Sequence, residues 1–217
     1  MISATEALDR LQKGNNRFLP DPKADNAKSR SAWLGLTRST QKPDDRNPNV
    51  SEQEPFAILL GCSDARVPLE IIFDQGLGNL FVIRVAGNIA GPSQIGSIEF
   101  AATEFGTRLV VVMGHSHCGA IATTLKELKQ PSENRSPNLA SIVDRISPAI
   151  EPLVANTDSV DQETLMEEAV RANVRASVNQ LQAGSTILKN LIQTDGLQIM
   201  GAEYSIETGS VQFLKED

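Results

Sequence analysis

Two uninterrupted apolar runs limit this chain more than any other feature. Phe56-Ala57-Ile58-Leu59-Leu60 lies between Pro55 and Gly61, and Leu109-Val110-Val111-Val112-Met113 ends at Gly114. Both have strand length, and a strand without polar alternation is covered on both faces, as in parallel sheets flanked by helices. Leu80-Phe81-Val82-Ile83-Arg84-Val85 reads as a further strand between them. Helical patterns fall in the intervals. Leu69 to Phe73 follows Pro68, Gly96 to Phe105 ends at Gly106, and Ala120 to Lys129 follows the third strand. Residues 139–155 read as a helix broken near Pro148 and Pro152, Gln162 to Gln182 as a long amphipathic helix, and Ile187 to Ile192 as a short one. Leu197 to Ile206 and Val211 to Leu214 flank Glu207-Thr208-Gly209-Ser210 as a strand, a tight turn and an edge strand. Strands alternating with helices imply an α/β domain with a mainly parallel sheet.

With 217 residues, the chain fits one domain and an appendage. Residues 56–217 form the expected α/β domain. Residues 1–55 read as an N-terminal helical arm. Ser3 caps a helix whose Ala7, Leu8 and Leu11 share one face, with Glu6 in a capping box and Gly14 as the expected stop. Residues 19–55 are polar and proline-punctuated, with a short helix expected around Trp33. An arm too thin to bury its own apolar face is expected to bury it on a partner subunit. The net charge of −7 argues against nucleic acid as a partner, since phosphate binding needs a basic face. No stretch is apolar enough for a membrane span. No secretory signal stands at the start, so a cytoplasmic location is expected.

The chain has two cysteines and two histidines, and three of the four lie in His115-Ser116-His117-Cys118. Cys62 follows the first strand, and His115 and Cys118 follow the third. Doubly wound sheets bind ligands at the carboxyl ends of strands, where the winding reverses. If the first and third strands are neighbours, Cys62, His115 and Cys118 meet there and supply three ligands to one metal. Thiolates with imidazole suit zinc, and three protein ligands leave a fourth position for water. Gly61, Gly114 and Gly119 are expected to let the backbone turn beside the ligands, with the Gly119 amide favouring a Cys118 thiolate. His117 adjoins Cys118 and is expected to point elsewhere, as a surface residue or a candidate for proton transfer. Asp64 and Arg66 share the Cys62 loop. A nearby cation keeps a carboxylate ionised, so Asp64 is expected either to accept a hydrogen bond from zinc-bound water or to bind zinc itself.

Cys62-Ser63-Asp64-Ala65-Arg66-Val67-Pro68 followed by Gly114-His115-Ser116-His117-Cys118-Gly119-Ala120 resembles the β-class carbonic anhydrases. The stretch from Phe73 to Phe81, then Arg84-Val85-Ala86-Gly87-Asn88 and Gly96-Ser97-Ile98-Glu99, is similar to the same family. The resemblance runs from about residue 53 to 125. It implies Cys62, His115 and Cys118 as ligands of one Zn2+ per chain, with Asp64 and Arg66 as the catalytic dyad. It implies Gln53 as a hydrogen-bonding partner of substrate, and Phe81, Ala86 and Phe100 as lining of a small apolar pocket, partly across a dimer interface. The implied fold is a parallel sheet with an antiparallel edge strand. The implied assembly is a homodimer or a dimer of dimers.

The implied reaction is reversible hydration of CO2 to bicarbonate and a proton by attack of a zinc-bound hydroxide. In carbonic anhydrases whose zinc has three His ligands, the bound water has a known pKa of ~7. Two thiolates donate more charge, so a higher value is expected here. Some bacterial members carry an inhibitory bicarbonate site made of a Trp, an Arg and a Tyr. Arg84 matches it, but Leu59 and Phe100 stand at the other two positions, which favours an open site. Two other readings compete: a hydrolase of a CO2 analogue (carbon disulfide or carbonyl sulfide) and a non-catalytic zinc/thiolate sensor with Asp64 as fourth ligand.

Overall fold

In the computed structural model, residues 2–19, 53–132, 136–155 and 161–215 are described. Strand β1 (Ala57–Gly61) pairs in parallel with β2 (Leu80–Arg84) on one side and with β3 (Leu109–His115) on the other. Strand β4 (Gln198–Tyr204) runs parallel to β3, and β5 (Val211–Phe213) closes the edge antiparallel to β4. The spatial order is β2-β1-β3-β4-β5. The expected architecture of four parallel strands and one antiparallel edge strand is therefore the observed one.

The helices are α1 (Ala4–Phe18), α2 (Leu69–Ile72), α3 (Pro92–Glu104), α4 (Gly119–Lys129), α5 (Pro137–Ala155), α6 (Gln162–Gly184) and α7 (Thr186–Thr194). A 3-10 turn spans Ala86–Asn88. Side chains alternate across the sheet, so the apolar runs feed two cores at once. Leu59, Val111 and Met113 face Leu11 of α1 and Leu69 and Ile72 of α2. Ile58, Leu60, Val110 and Val112 face Ile98 of α3, Val174 and Leu181 of α6 and Leu188 of α7. A third cluster sits past the carboxyl ends of β1 and β3, where Ile121, Ile146, Ile150 and Val170 surround Cys62 and Cys118. Each fully buried Leu or Ile in these clusters contributes roughly 1.5–3 kcal/mol relative to exposure.

Ser3 caps α1 as expected, its Oγ accepting the Glu6 amide at 3.2 Å. Two local expectations are corrected. Gly14 does not stop α1, which runs on to Phe18. Its lack of a side chain serves packing instead, since a Cβ there would come within 1.9 Å of the Phe73 carbonyl oxygen. The next residue, Asn15, is buried and ties three segments together. Its Nδ2 donates to the carbonyls of Ile72 and Gly209, and its Oδ1 accepts the Val211 amide. Nor do Pro148 and Pro152 break α5. They lie one turn apart on its exposed side, while Val143, Ile146 and Ile150 hold the inner face.

Helix α1, part of the stretch expected to pack on a partner, covers its own chain's sheet through Ala4, Ala7, Leu11 and Phe18. Its apolar face finds a cover in cis, beside Phe56 and Leu59. The helix expected around Trp33 lies outside the described residues. No helix among the described residues is long and apolar enough to cross a membrane.

Replacing Gly14 tests the close approach of α1 to Phe73. Alanine is the better helix former by about 1 kcal/mol, yet the facing atom is backbone and cannot swing away. Gly14→Ala is expected to destabilise the fold by roughly 1–3 kcal/mol, the usual cost of overpacking, in chemical denaturation. A gain in stability would show that α1 is not seated on Phe73.

Candidate metal centre

In register, Gly61 of β1 lies opposite Met113 of β3. Parallel pairing sends both strands out on the same side, so Cys62 emerges next to Gly114 and His115. One ligand-type atom from each of Cys62, His115 and Cys118 lies within 4.8 Å of the others, and all three residues are buried. His115 ends β3, and Cys118 stands at the N-cap of α4. Between them His117 takes a left-handed backbone, φ 54°, which reverses the chain so that both neighbours converge.

The expected reason for the flanking glycines is corrected. Gly61 and Gly114 do not have left-handed backbones. They are small because of what packs on them: Leu69 Cδ1 would lie 2.9 Å from a Cβ at Gly61, and Val174 Cγ2 2.6 Å from one at Gly114. At Gly119 a Cβ would meet open space.

The donor set fits a soft divalent cation. The two sulfurs are 4.0 Å apart, close to the ~3.8 Å between thiolates bound tetrahedrally at about 2.3 Å. His115 Nδ1 is spent on the Ser116 carbonyl oxygen at 2.9 Å. Its Nε2 is buried and has no hydrogen-bond partner. A buried imidazole nitrogen without a hydrogen-bond partner, in a cluster with two thiols, suits a metal ligand. The contact with Cys118, aided by His115 and the Gly87 amide, outweighs burial and pushes the Cys62 thiol down to about 4. The same contact, with burial and the Cys62 charge, pushes Cys118 far up, while the Ile121 and Ala120 amides pull the other way. Those two amides, rather than that of Gly119, are the ones within reach of an N-cap side chain. A divalent ion bound there would hold both sulfurs as thiolates.

Asp64 stands beside this cluster without joining it. Its Oδ2 lies 4.0 Å from His115 Nε2. Arg66 grips the carboxylate as a fork, Nε to Oδ1 at 2.9 Å and a terminal nitrogen to Oδ2 at 2.8 Å, and the Arg66 amide adds a bond to Oδ1. The Arg66 side chain, above all, holds the Asp64 carboxyl well below the usual range.

Sequence reasoning missed how this loop is pinned. Arg84, at the end of β2, donates to the Cys62 carbonyl at 3.0 Å and to the Asp64 carbonyl at 2.6 Å. The Gly87 amide points at Cys62 Sγ, 3.4 Å away. No spacing signal marks these contacts, because they depend on β2 lying beside β1. The side chain of His117 turns away from the cluster as expected, to Glu207 at 2.7 Å.

The remaining expected site residues divide. Ala86 adjoins Gly87, whose amide points at Cys62 Sγ. Phe81 lies opposite Ile58, four residues before Cys62, and packs with Phe100 and Phe105. Phe100 is 51% exposed on α3. Gln53 lines a groove with Ile2, Arg10 and Thr107 at the amino ends of β1 and β3. Phe81, Phe100 and Gln53 are therefore not gathered around their own chain's cluster.

Several known proteins are similar to this chain. A family model described as carbonic anhydrase matches residues 57–211. Carbonic anhydrase 2 of Mycobacterium tuberculosis is 34% identical over 201 residues, covering 92% of this chain and 87% of that one. A carbonic anhydrase of Mycolicibacterium smegmatis is 37% identical over 160 residues, covering 74% and 75%. Among solved structures, the β-carbonic anhydrase CcaA superposes with a TM-score of 0.67 at 27% identity, covering 96% of this chain and 95% of that one. One tetrameric β-carbonic anhydrase of Sordaria macrospora shares the fold at a TM-score of 0.70 and 24% identity, covering 87% and 94%. Sequence and fold agree over most of the chain's length, and by both the chain belongs to the β-class carbonic anhydrase family.

Proposed function

We propose that this protein catalyses the reversible hydration of carbon dioxide to bicarbonate and a proton, with one zinc per chain. The observation that carries this reading is the buried cluster of Cys62, His115 and Cys118 with the Arg66-gripped Asp64 at its edge. Cys62, His115 and Cys118 would hold the zinc and leave a fourth position. Zinc, when bound, supplies Lewis acidity that makes a water molecule nucleophilic near neutral pH. Asp64, kept ionised by Arg66, would accept a hydrogen bond from the attacking water and so turn its lone pair toward the carbon of CO2. A C–O bond forms as one C=O π bond breaks onto oxygen, giving bicarbonate, and a proton leaves for solvent. Ala86 offers a small apolar wall suited to CO2. His117, half-exposed at the rim, is the candidate carrier of the departing proton. The sensor reading with Asp64 as a fourth ligand is not favoured, because the carboxylate is engaged by three Arg66 donors.

The working unit is proposed to be a homodimer or a dimer of dimers. Supporting this, Gln53, Phe81 and Phe100 sit away from their own cluster, and Phe100 leaves an aromatic ring half in solvent. These residues are assigned to a partner's pocket. A cytoplasmic location is proposed on the two unpaired thiols, which suit a reducing compartment.

Stopped-flow CO2 hydration on protein of measured zinc content tests the reaction. Activity is expected from pH 6.5 to 9. It should vanish on chelation, return with zinc, and be lost together with zinc in Cys62→Ser. Zinc-loaded protein without activity at any pH would overturn the assignment. Asp64→Asn is expected to keep its zinc and lose on the order of 100-fold in kcat, the lower range for a positioned acid–base group. Arg66→Lys keeps a charge but not the fork, so it should fall between that variant and wild type. Sedimentation velocity is expected to show a dimer or larger, and Phe100→Glu to shift it toward monomer. A monomeric, fully active wild type would remove the shared pocket.

A further inference from the structure

The turn between β4 and β5 carries one carboxylate that reaches across to the metal loop. Ser116 Oγ donates to Glu207 Oε2 at 2.9 Å, and Ser205 Oγ donates to the same oxygen at 3.0 Å. His117 Nε2 meets Glu207 Oε1 at 2.7 Å. The backbone repeats the link, since the Ile206 amide donates to Ser116 Oγ and the Ser116 amide to the Tyr204 carbonyl. Glu207 thus holds both residues that lie between the ligands His115 and Cys118. One of them, His117, has a left-handed backbone that a β-carbon disfavours. Its carbonyl in turn accepts the Arg66 guanidinium at 3.4 Å, and the Glu207 charge is felt at Arg66 as well. An isolated surface ion pair would matter little. Here the carboxylate gathers two hydroxyls and an imidazole onto a turn that would otherwise relax.

We propose that Glu207 is a positioning residue for the metal centre: it latches the Ser116-His117 turn so that His115 and Cys118 converge and Arg66 keeps its second anchor. The proposal rests on the metal-site reading above. It concerns ligand geometry, so it can be tested without CO2.

The probes are Zn2+ and Co2+, on full-length protein whose fold is checked by circular dichroism. Partners that orient metal ligands are commonly worth 10–100-fold in metal affinity. Because this latch is half-exposed, Glu207→Ala is expected at the low end, about a tenfold loss in Zn2+ affinity by chelator competition. The thiolate-to-cobalt charge-transfer and visible bands should shift in the same variant. Glu207→Gln keeps an acceptor for the hydroxyls and should lose less. A glycine at position 117 adopts the left-handed turn without strain, so in a His117→Gly background Glu207→Ala should cost less than in wild type. Wild-type affinity and an unshifted cobalt spectrum in Glu207→Ala would overturn the proposal, as would an equal cost in both backgrounds. If Glu207→Ala does not fold, Ser116→Ala removes the other end of the latch and is read the same way. Loss of metal affinity in Glu207→Ala with no hydratase activity in wild type would sink the proposed reaction and leave the latch. An active wild type with unchanged affinity in Glu207→Ala would sink the latch alone.

Discussion

Parallel pairing of β1 with β3 is the contact on which the site depends. The chain leaves β1 and forms β2 on one side, then crosses back to form β3 on the other. Winding reverses between β1 and β3, and in open α/β sheets that is where a crevice opens at the carboxyl ends. Cys62 stands one residue beyond the Gly61 pairing, and His115 two residues beyond Met113. A shift of one residue would send Cys62 or His115 to the opposite face. Register is held by the cores, because Leu59 and Val111 must face α1 and α2 while Ile58, Leu60, Val110 and Val112 face α3 and α6.

Beside that crevice the Cys62 loop is fixed by cations rather than by regular structure. Arg84 holds the carbonyls of Cys62 and Asp64, and Arg66 holds the Asp64 carboxylate. The Cys62 loop is therefore gripped from β2 as well as from within itself. On the other loop, the Cys118 side is buried among Ile121, Ile146 and Val170. The donor atoms are thus held close together by packing and hydrogen bonds already present in the chain. Such preorganisation limits the ordering that ligand binding requires.

Much of this was legible in the residues, for physical reasons. Unbroken apolar runs require two covered faces, which requires a parallel sheet, which in turn puts the loops at one edge. That chain of necessity reaches the cluster from Cys62, His115 and Cys118 alone. It does not reach Gly14, whose role depends on a carbonyl 59 residues downstream, at Phe73. Nor does it reach Glu207, which meets Ser116 only because β5 folds back beside β4. Local rules misjudged Pro148 and Pro152 because both rings sit on the exposed side of a helix whose opposite face is held by Val143, Ile146 and Ile150. Gln53, Phe81 and Phe100 were placed by resemblance, and resemblance does not say which subunit's site a residue serves.

On the proposed reading, Arg66 and the fourth position of the metal would compete for Asp64. The carboxylate lies 4.0 Å from His115 Nε2, close enough for a modest rotation to bring it toward the cluster. Doing so would break the fork with Arg66, two charge-assisted bonds that are stronger than neutral ones. Arg66 would then lose its main partner while still half-exposed, so water would recover part of that loss. The outcome therefore hangs on how firmly Arg66 is anchored elsewhere. Its other contact is the His117 carbonyl, presented by a left-handed turn that Glu207 holds. If Glu207 acts as the proposed latch, a carboxylate on the β4–β5 turn would bear, through His117, on how firmly Arg66 keeps Asp64 beside the cluster.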